Sequence, residues 1–286
     1  MQLSAGVRQG GILSPLLSSA FIDGLLSELD YTKLGCFLNG RCLNSFLYAD
    51  DLLLLSPSIT DLQLLVDKAS SILKDLDLQI NLSKSCALRV GARFSVSCGL
   101  IKVDNEPLPW VKEAKYLGLT ISASSRFICN WQPIKRQFFI AVNRILSSLG
   151  SNPNLSVVLS LFQSTCVPIL SYGIAALALT KTELHGFTFA YNNIFHKLFK
   201  INNKQVIEQC QFFCGALSFQ ATYDFLRFSF LRSLCIKGWK TVSDSLLRAD
   251  YNDLLSYADK YNFKFNDSNV MLKFKIWTAI EHSLNV

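Results

Sequence analysis

The 286-residue chain reads as an α+β protein, with its strands gathered toward the N-terminus and helices dominating afterwards. Three observations carry that expectation. Short apolar runs and turn signals alternate with amphipathic stretches up to about residue 125. Beyond Trp131, apolar residues recur almost wholly at helical spacing. Hydrophobic residues make up 50% of the chain, enough to bury a core and more than a disordered chain carries. The texture changes over Ser122–Asn130, so two regions are expected, 1–125 and 126–286. No internal repeat or low-complexity linker interrupts them.

Taken in order, Gly10 and Gly11 precede a helix for which Ser14 is the expected N-cap and Pro15 the first helical residue. Leu16, Leu17, Ala20, Phe21 and the Leu25–Leu26 pair then recur at helical spacing to about Leu29. Asn39-Gly40 is a strong two-residue hairpin signal, followed by a strand over Arg41–Leu47. A second turn is predicted at Tyr48–Asp51, with Leu52–Leu55 returning as its partner. Asp50 and Asp51 would thus stand at the exposed tip of a hairpin whose apolar legs are buried. Thr60 and Gln63 suggest a capping box, ahead of the stripe Leu62, Leu65, Val66, Ala69, Ile72, Leu73 and Leu76. The stretch "LQINLSKSCALRV" reads as a loop and a strand. Further strands are expected near Gly99–Val103 and over Lys115–Ile121, on either side of a turn at "DNEPLP". In the second region Ile134, Phe138, Ala141, Val142, Ile145 and Leu149 form one stripe. Val157–Leu177, Glu183–Phe199, Tyr223–Trp239, Ser243–Tyr261 and Asn269–Leu284 read as further helices.

Charge is unevenly spread. Up to Asn130 there are 12 Lys and Arg against 12 Asp and Glu, and from Trp131 onward 16 against 9. A neutral first half and a basic second half suit either an ordinary solvated surface or an anionic partner such as nucleic acid or a membrane surface. The nine cysteines are scattered, with Cys210 and Cys214 the one close pair, and read as free thiols in a reducing compartment. The N-terminus "MQLSAGVRQGG" lacks the apolar segment of a signal peptide. The most apolar stretch, Cys166–Thr180, is shorter than the ~20 residues a membrane span needs, so a buried helix and no membrane partner are expected. His185, His196 and His282 have no partner motif and read as structural.

Two carboxylates at one tight turn repel each other unless a cation neutralises them. Oxygen ligands suit Mg2+ or Mn2+, and two such ions ~3.5–4 Å apart clamp the attacking and leaving oxygens of an in-line phosphoryl displacement. That chemistry needs at least one further carboxylate from another strand; the plain alternative is a polar turn. The neighbouring stretches decide between them. "GVRQGGILSPLL" (Gly6–Leu17), "YADD" (Tyr48–Asp51), "INLSKS" (Ile80–Ser85) and "KYLGLTI" (Lys115–Ile121) follow one another in an order that resembles the palm of reverse transcriptases, most closely those of non-LTR (LINE-type) retrotransposons. "VPILSYGIAALALTKTEL" (Val167–Leu184) is similar to the helical region after that palm, so the resemblance covers about Gly6 to Leu184.

The resemblance implies a partial polymerase palm, an antiparallel sheet with helices, followed by an all-helical thumb-like region. It implies an RNA-directed DNA polymerase that transfers a nucleotide to a primer 3′-hydroxyl, with Mg2+ or Mn2+ as cofactor and two ions in the complete site. An RNA template, a DNA primer and dNTPs would be its partners, and the cytoplasm or nucleus its place. Asp50 and Asp51 would be the catalytic metal ligands. Arg8, Gln9, Gly10, Gly11, Tyr48 and Lys84 would contact nucleotide or template. The two glycines let a base pair approach the backbone, and Gln9 can both donate and accept. Arg8 is a phosphate partner or a surface residue, and Lys84 a pyrophosphate partner or a solvated loop lysine. Tyr48 and Phe46 are expected to pack the hairpin, although Tyr48 resembles a residue near the primer terminus. Tyr116, Leu117 and Gly118 would form the primer grip, a bend in a hairpin. Lys135, Arg136 and Arg144 would follow phosphates, or be the solvated face of an amphipathic helix.

The pattern also breaks. In the family, fingers and a strand bearing a metal-binding aspartate precede the "RQG" element, whereas here "MQLSA" precedes it. Asp23 lies on a helix and cannot take that strand's place. The chain therefore reads as the C-terminal part of a polymerase, slow or inactive alone, with a missing N-terminal half as a further partner. The alternative is a non-catalytic nucleic-acid-binding remnant of a decayed element.

Overall fold

A computed structural model describes residues 12–38, 40–148, 154–236 and 248–284. The chain divides into two compact units, Met1–Cys129 and Asn130–Val286.

The first unit opens with α1 (Ser14–Tyr31), with Leu13 at the cap position, no capping bond from that side chain, and Pro15 in the first turn, where its missing N–H costs nothing. Leu25 and Leu29 are buried, but Leu16, Leu17 and Phe21 remain more than half exposed, so the apolar stripe is covered in its C-terminal half alone. That half packs on Leu65 and Ala69 of α2 (Ile59–Asp75). The cap of α2 is Ser58, whose extended backbone lets its side chain accept from Asp61 N at 3.4 Å. The Thr60–Gln63 box does not form, because Thr60 already lies inside the helix. Gln63 instead accepts from Lys102 N and donates to Lys102 O, each at 2.8 Å. Its amide does for that residue what a neighbouring strand's backbone would do.

Strands β1 (Cys36–Leu38) and β2 (Arg41–Leu43) form one antiparallel pair, and β3 (Ser45–Tyr48) and β4 (Asp51–Leu54) another. The strand expected over Arg41–Leu47 is interrupted at Asn44, which is fully buried. Its Nδ2 donates to Leu29 O at 2.8 Å, and its carbonyl accepts from Leu55 N at 2.7 Å. Gly35, at φ +118°, passes so near that a Cβ there would stand 2.5 Å from Asn44 Cβ. Next come β5 (Ala87–Leu88), β6 (Ile101–Val103), β7 (Glu106–Leu108), β8 (Trp110–Val111), β9 (Glu113–Tyr116), β10 (Leu119–Ser122) and β11 (Ile128–Asn130). The "DNEPLP" turn shrinks to Asp104-Asn105, both left-handed at φ +51° and +69°, as a two-residue hairpin loop requires. Pro107 then sits within β7, tolerated because a two-stranded sheet has open edges. Among the described residues the strands make five small sheets: β9–β10–β11 and four pairs, of which β5–β8 is parallel.

In the second unit, α3 (Gln132–Ser148) buries Ile134, Phe138 and Val142; Leu149 of its expected stripe lies outside the described residues. Val157–Leu177 is not one helix. It is α4 (Leu155–Leu161), a π turn over Phe162–Cys166, α5 (Val167–Ser171) and a 3₁₀ turn over Ile174–Ala176. Pro168 offers no N–H to the helical ladder, Val167 N reaches back to Phe162 O, and Gly173 at φ +74° introduces the 3₁₀ turn. Thr180 and Glu183 form a full capping box for α6 (Lys181–Phe199). The unexpected α7 (Lys204–Phe213) is capped by Asn203, which accepts from Gln205 N and Val206 N. Helix α8 (Phe219–Ile236) starts ahead of Tyr223. Residues 237–247, with the end of the helix expected to reach Trp239 and the start of the one expected from Ser243, lie outside the described residues, and α9 (Arg248–Tyr261) and α10 (Asn269–Leu284) follow.

Aromatic rings make the core of this unit. Phe138, Phe162, Phe187, Phe195 and Phe219 are all fully buried, with Phe187 stacked on Phe219 at 5.4 Å and Phe162 edge-on to Phe195 at 5.9 Å. Each such side chain contributes about 1.5–3 kcal/mol by leaving water. Two buried charges tie α8 to α9. Asp224 accepts from Lys260 at 2.7 Å and from the Tyr261 hydroxyl at 2.8 Å, while Arg227 donates to Ala175 O at 3.0 Å and pairs with Asp250. No described helix is long and apolar enough to cross a membrane.

Candidate functional site

The two aspartates sit where hairpin geometry puts them. Tyr48 pairs with Asp51, leaving Ala49 and Asp50 as the turn. Ala49 is left-handed at φ +53°, a conformation that is uncommon for an alanine and carries strain. Both carboxylates are exposed. The legs are half-buried rather than buried. Side chains alternate between faces along a strand, so Ser45 and Leu47 turn inward while Phe46 and Tyr48 point outward, 44% and 65% exposed. The packing role expected for those two rings is therefore not the one they play. Leu52 and Leu54 of β4 supply the contact with the α1–α2 core.

A second hairpin follows later in the chain. Leu117 and Gly118, at φ +46° and +80°, form the turn between β9 and β10. The Tyr116 hydroxyl is held above its ordinary pKa, first by burial and then by the Asp51 carboxylate. Asp51 and Tyr116 are thus in electrostatic reach of one another, although far apart in sequence. Lys84 occupies an exposed turn in which its N–H meets Asn81 Oδ1 at 3.3 Å. Among the described residues no hydrogen bond or ion pair joins it to Asp50 or Asp51. Arg8, Gln9, Gly10 and Gly11 lie outside the described residues.

Among the described residues, no group of three His, Cys, Asp or Glu comes together to hold a metal ion. The paired carboxylates are hard oxygen donors of the kind Mg2+ or Mn2+ prefers. They match such an ion in kind but fall short of a closed site in number. Asp23 is exposed on α1.

In the helical unit, Lys135 is folded down rather than extended. Its Nζ lies 4.8 Å over the Phe187 ring, in space that exists because residue 186 is glycine: a Cβ there would be 2.6 Å from Nζ. Burial lowers the Lys135 pKa, opposed by Glu183. Arg136 and Arg144 are exposed on α3. Sequence patterning did not single out the neighbouring Asn143, Phe189 and Lys197, although Lys197 Nζ donates to Asn143 Oδ1 at 3.1 Å across the two helices.

Residues 2–121 match the family described as reverse transcriptase (RNA-dependent DNA polymerase). Over these residues the chain is similar to a reverse transcriptase. The chain is also 31% identical over 133 residues, 44% of its length, to the retrovirus-related Pol polyprotein from the type-2 retrotransposable element R2DM of Drosophila melanogaster. It spans 12% of that polyprotein. Both acidic residues of the β3–β4 hairpin and the β9–β10 turn fall within the matched residues.

Proposed function

We propose that the chain is a module of an RNA-directed DNA polymerase, adding deoxynucleotides to a DNA primer on an RNA template. The observation that carries this is the match of residues 2–121 to the reverse transcriptase family, with Asp50 and Asp51 exposed at the tip of a hairpin inside it. The turn assigned to the primer grip lies in the same matched segment. Asp50 and Asp51 would hold Mg2+ or Mn2+, with two ions in the complete site and a further carboxylate from a partner polypeptide. A divalent cation there would offset the charge of the triphosphate and ease loss of the primer hydroxyl proton. Tyr48, outward beside Asp51, would meet the nucleotide or the primer end. Lys84 would place one positive charge near the leaving pyrophosphate, Arg8, Gln9, Gly10 and Gly11 would face nucleotide and template, and Lys135, Arg136 and Arg144 would serve phosphates. Nine free thiols support a reducing compartment, the cytoplasm or nucleus.

The test is Mn2+ binding, followed by electron paramagnetic resonance, with primer extension on an RNA template in parallel. The native chain is compared with Asp50→Asn/Asp51→Asn. We expect weak Mn2+ binding that disappears in the double variant. Extension by the chain alone should lie near background, since the described residues offer two ligands. Mn2+ binding or extension that survives the double variant would overturn the assignment. A second reading, nucleic-acid binding without catalysis, is favoured by the basic second half and predicts binding indifferent to both aspartates.

A further inference from the structure

The excess positive charge of the second half is more local than its total suggests. From Trp131 to Ile207 the sequence has seven Lys and Arg and a single acid, Glu183; from Glu208 to the end there are nine against eight. Glu183 is already engaged. Its Oε1 accepts from Trp131 Nε1 at 3.0 Å, and its Oε2 accepts from Thr180 N at 2.8 Å. The excess therefore belongs to the surface built around α3 and α6. Between those helices runs a groove of about 500 Å³, lined by Lys135, Arg136 and Asn143 from α3 and by Gly186 and Phe189 from α6.

Phe189 is 61% exposed on α6, whereas Phe187 and Phe195 of the same helix are fully buried. It stands on a ridge. The groove lies on one side, and on the other is a cavity of about 760 Å³ lined also by Lys181, His185, Asn192 and Lys204. A flat apolar ring set between cations is the pairing that holds unpaired nucleotides: charge follows the backbone, and a base covers the ring. A duplex offers no free base face along its length.

We propose that the α3–α6 groove binds a single strand of nucleic acid with one base stacked on Phe189. This deepens the nucleic-acid role given above to Lys135 and Arg136, yet it does not depend on the aspartate pair. Lys135 is already partly stripped of water by its seat over Phe187, so an incoming phosphate meets a cation with less hydration to lose. The cavity beyond Phe189 gives the strand a continuing path past Lys181, and past Lys204, which pairs with Glu208 at 3.9 Å.

The experiment uses the full chain with fluorescein-labelled oligo(U) and oligo(dT), read by anisotropy over a range of salt concentrations. Phe189→Ala should weaken binding by about tenfold, the loss of one stacked base. Lys135→Met/Arg136→Met should flatten the salt dependence by about 1.4 in logarithmic slope. Phe189→Trp should retain affinity, and its added indole fluorescence should be quenched when the oligonucleotide binds, a signal that mere structural support would not produce. Asp50→Asn/Asp51→Asn should bind as the native chain does, so failure of the polymerase reading leaves this result intact. Binding of either oligonucleotide with this dependence supports the proposal. It is overturned if neither oligonucleotide binds, if Phe189→Ala is silent, or if blunt duplex binds more tightly than single strand.

Discussion

Replacing Asn44 tests how the acidic hairpin is held. Asn44 is fully buried between α1 and β3, and its amide makes two hydrogen bonds, Nδ2 to Leu29 O at 2.8 Å and Oδ1 from Ser45 Oγ at 3.0 Å. In Asn44→Ala the Leu29 carbonyl is not stranded, because Thr32 still donates to it through N at 3.2 Å and Oγ1 at 2.7 Å. The loss is then about 1 kcal/mol per hydrogen bond plus a small cavity, or about 2–3 kcal/mol in all. Asn44→Asp differs in kind. A carboxylate oxygen would face the Leu29 carbonyl in a dry site, adding several kcal/mol for a buried, unpaired charge. Burial would raise that carboxyl's folded pKa above its unfolded value. Its protonated form is then tolerated below about pH 4, and stability falls as pH rises through the raised pKa. Urea titrations of both variants from pH 4 to pH 8, with hydrogen exchange at the Leu55 amide, check this. We expect the two variants to be similar at pH 4 and to separate by pH 7, with Leu55 exchange accelerated in both. Equal stabilities at pH 7, or an Asn44→Ala cost below about 0.5 kcal/mol, would refute the reasoning.

Three further variants probe other joints. Gln63→Ala should cost about 1 kcal/mol, because its bonds to Lys102 are exposed to water, and should speed exchange of the Lys102 amide; unchanged exchange there would remove Gln63 as a strand surrogate. Ala49→Gly relieves a left-handed alanine, about 1 kcal/mol, against the added chain entropy of glycine, so Tm should stay level or rise slightly; a fall of several degrees would show that the turn is not strained. Arg227→Met leaves Asp250 and Asp253 without their guanidinium and should cost about 2 kcal/mol at neutral pH, discounted for the partial exposure of both carboxylates. Burial already raises the Asp253 pKa, and Arg227 lowers it. Without Arg227 it rises further, so the deficit should be smallest below pH 4 and widen as pH rises through the new value; a pH-independent deficit in urea midpoints would contradict this.

Local chemistry was the part of this molecule most legible in the sequence. The acidic hairpin follows from two apolar runs around "YADD", while Asn39 of the Asn39-Gly40 signal lies outside the described residues, and the left-handed Leu117 interrupts a stretch that reads as one strand. Helix periodicity found α2, α3 and α6 but not the short α7, although Val206, Ile207, Cys210 and Phe213 stand at helical spacing behind the cap at Asn203. Side-chain substitutes for backbone were opaque. Asn44 inside "CLNSFLY" looks like one polar residue in a strand, and its role depends on Leu29 and Gly35 arriving in space. Gln63 sits where a capping box would want it, and the nearby strand wins it because Ser58 has already capped the helix. The outward turn of Phe46 and Tyr48 follows from register, which a single alternating run cannot reveal while both of its faces are apolar.

The same small sheets explain why a few polar anchors control the candidate site. A two-stranded hairpin is marginal in water on its own, and β3–β4, β6–β7 and β1–β2 are each no more than that. The stability of β3–β4 and β6–β7 is borrowed from α1 and α2. Leucines of β4 reach the α1–α2 cluster, Gln63 grips Lys102, and Asp104 in the β6–β7 turn accepts from Ser70 at 3.1 Å and Lys74 at 2.5 Å. That pairing with Lys74 holds the Asp104 carboxyl below its ordinary pKa. Local opening of such a hairpin requires loss of one or two anchors, far less than unfolding the aromatic core of the helical unit. A change at Asn44 should therefore blur the position of Asp50 and Asp51 at a perturbation the rest of the chain survives, and the geometry of the acidic pair becomes a property of its anchors rather than of the turn that carries it.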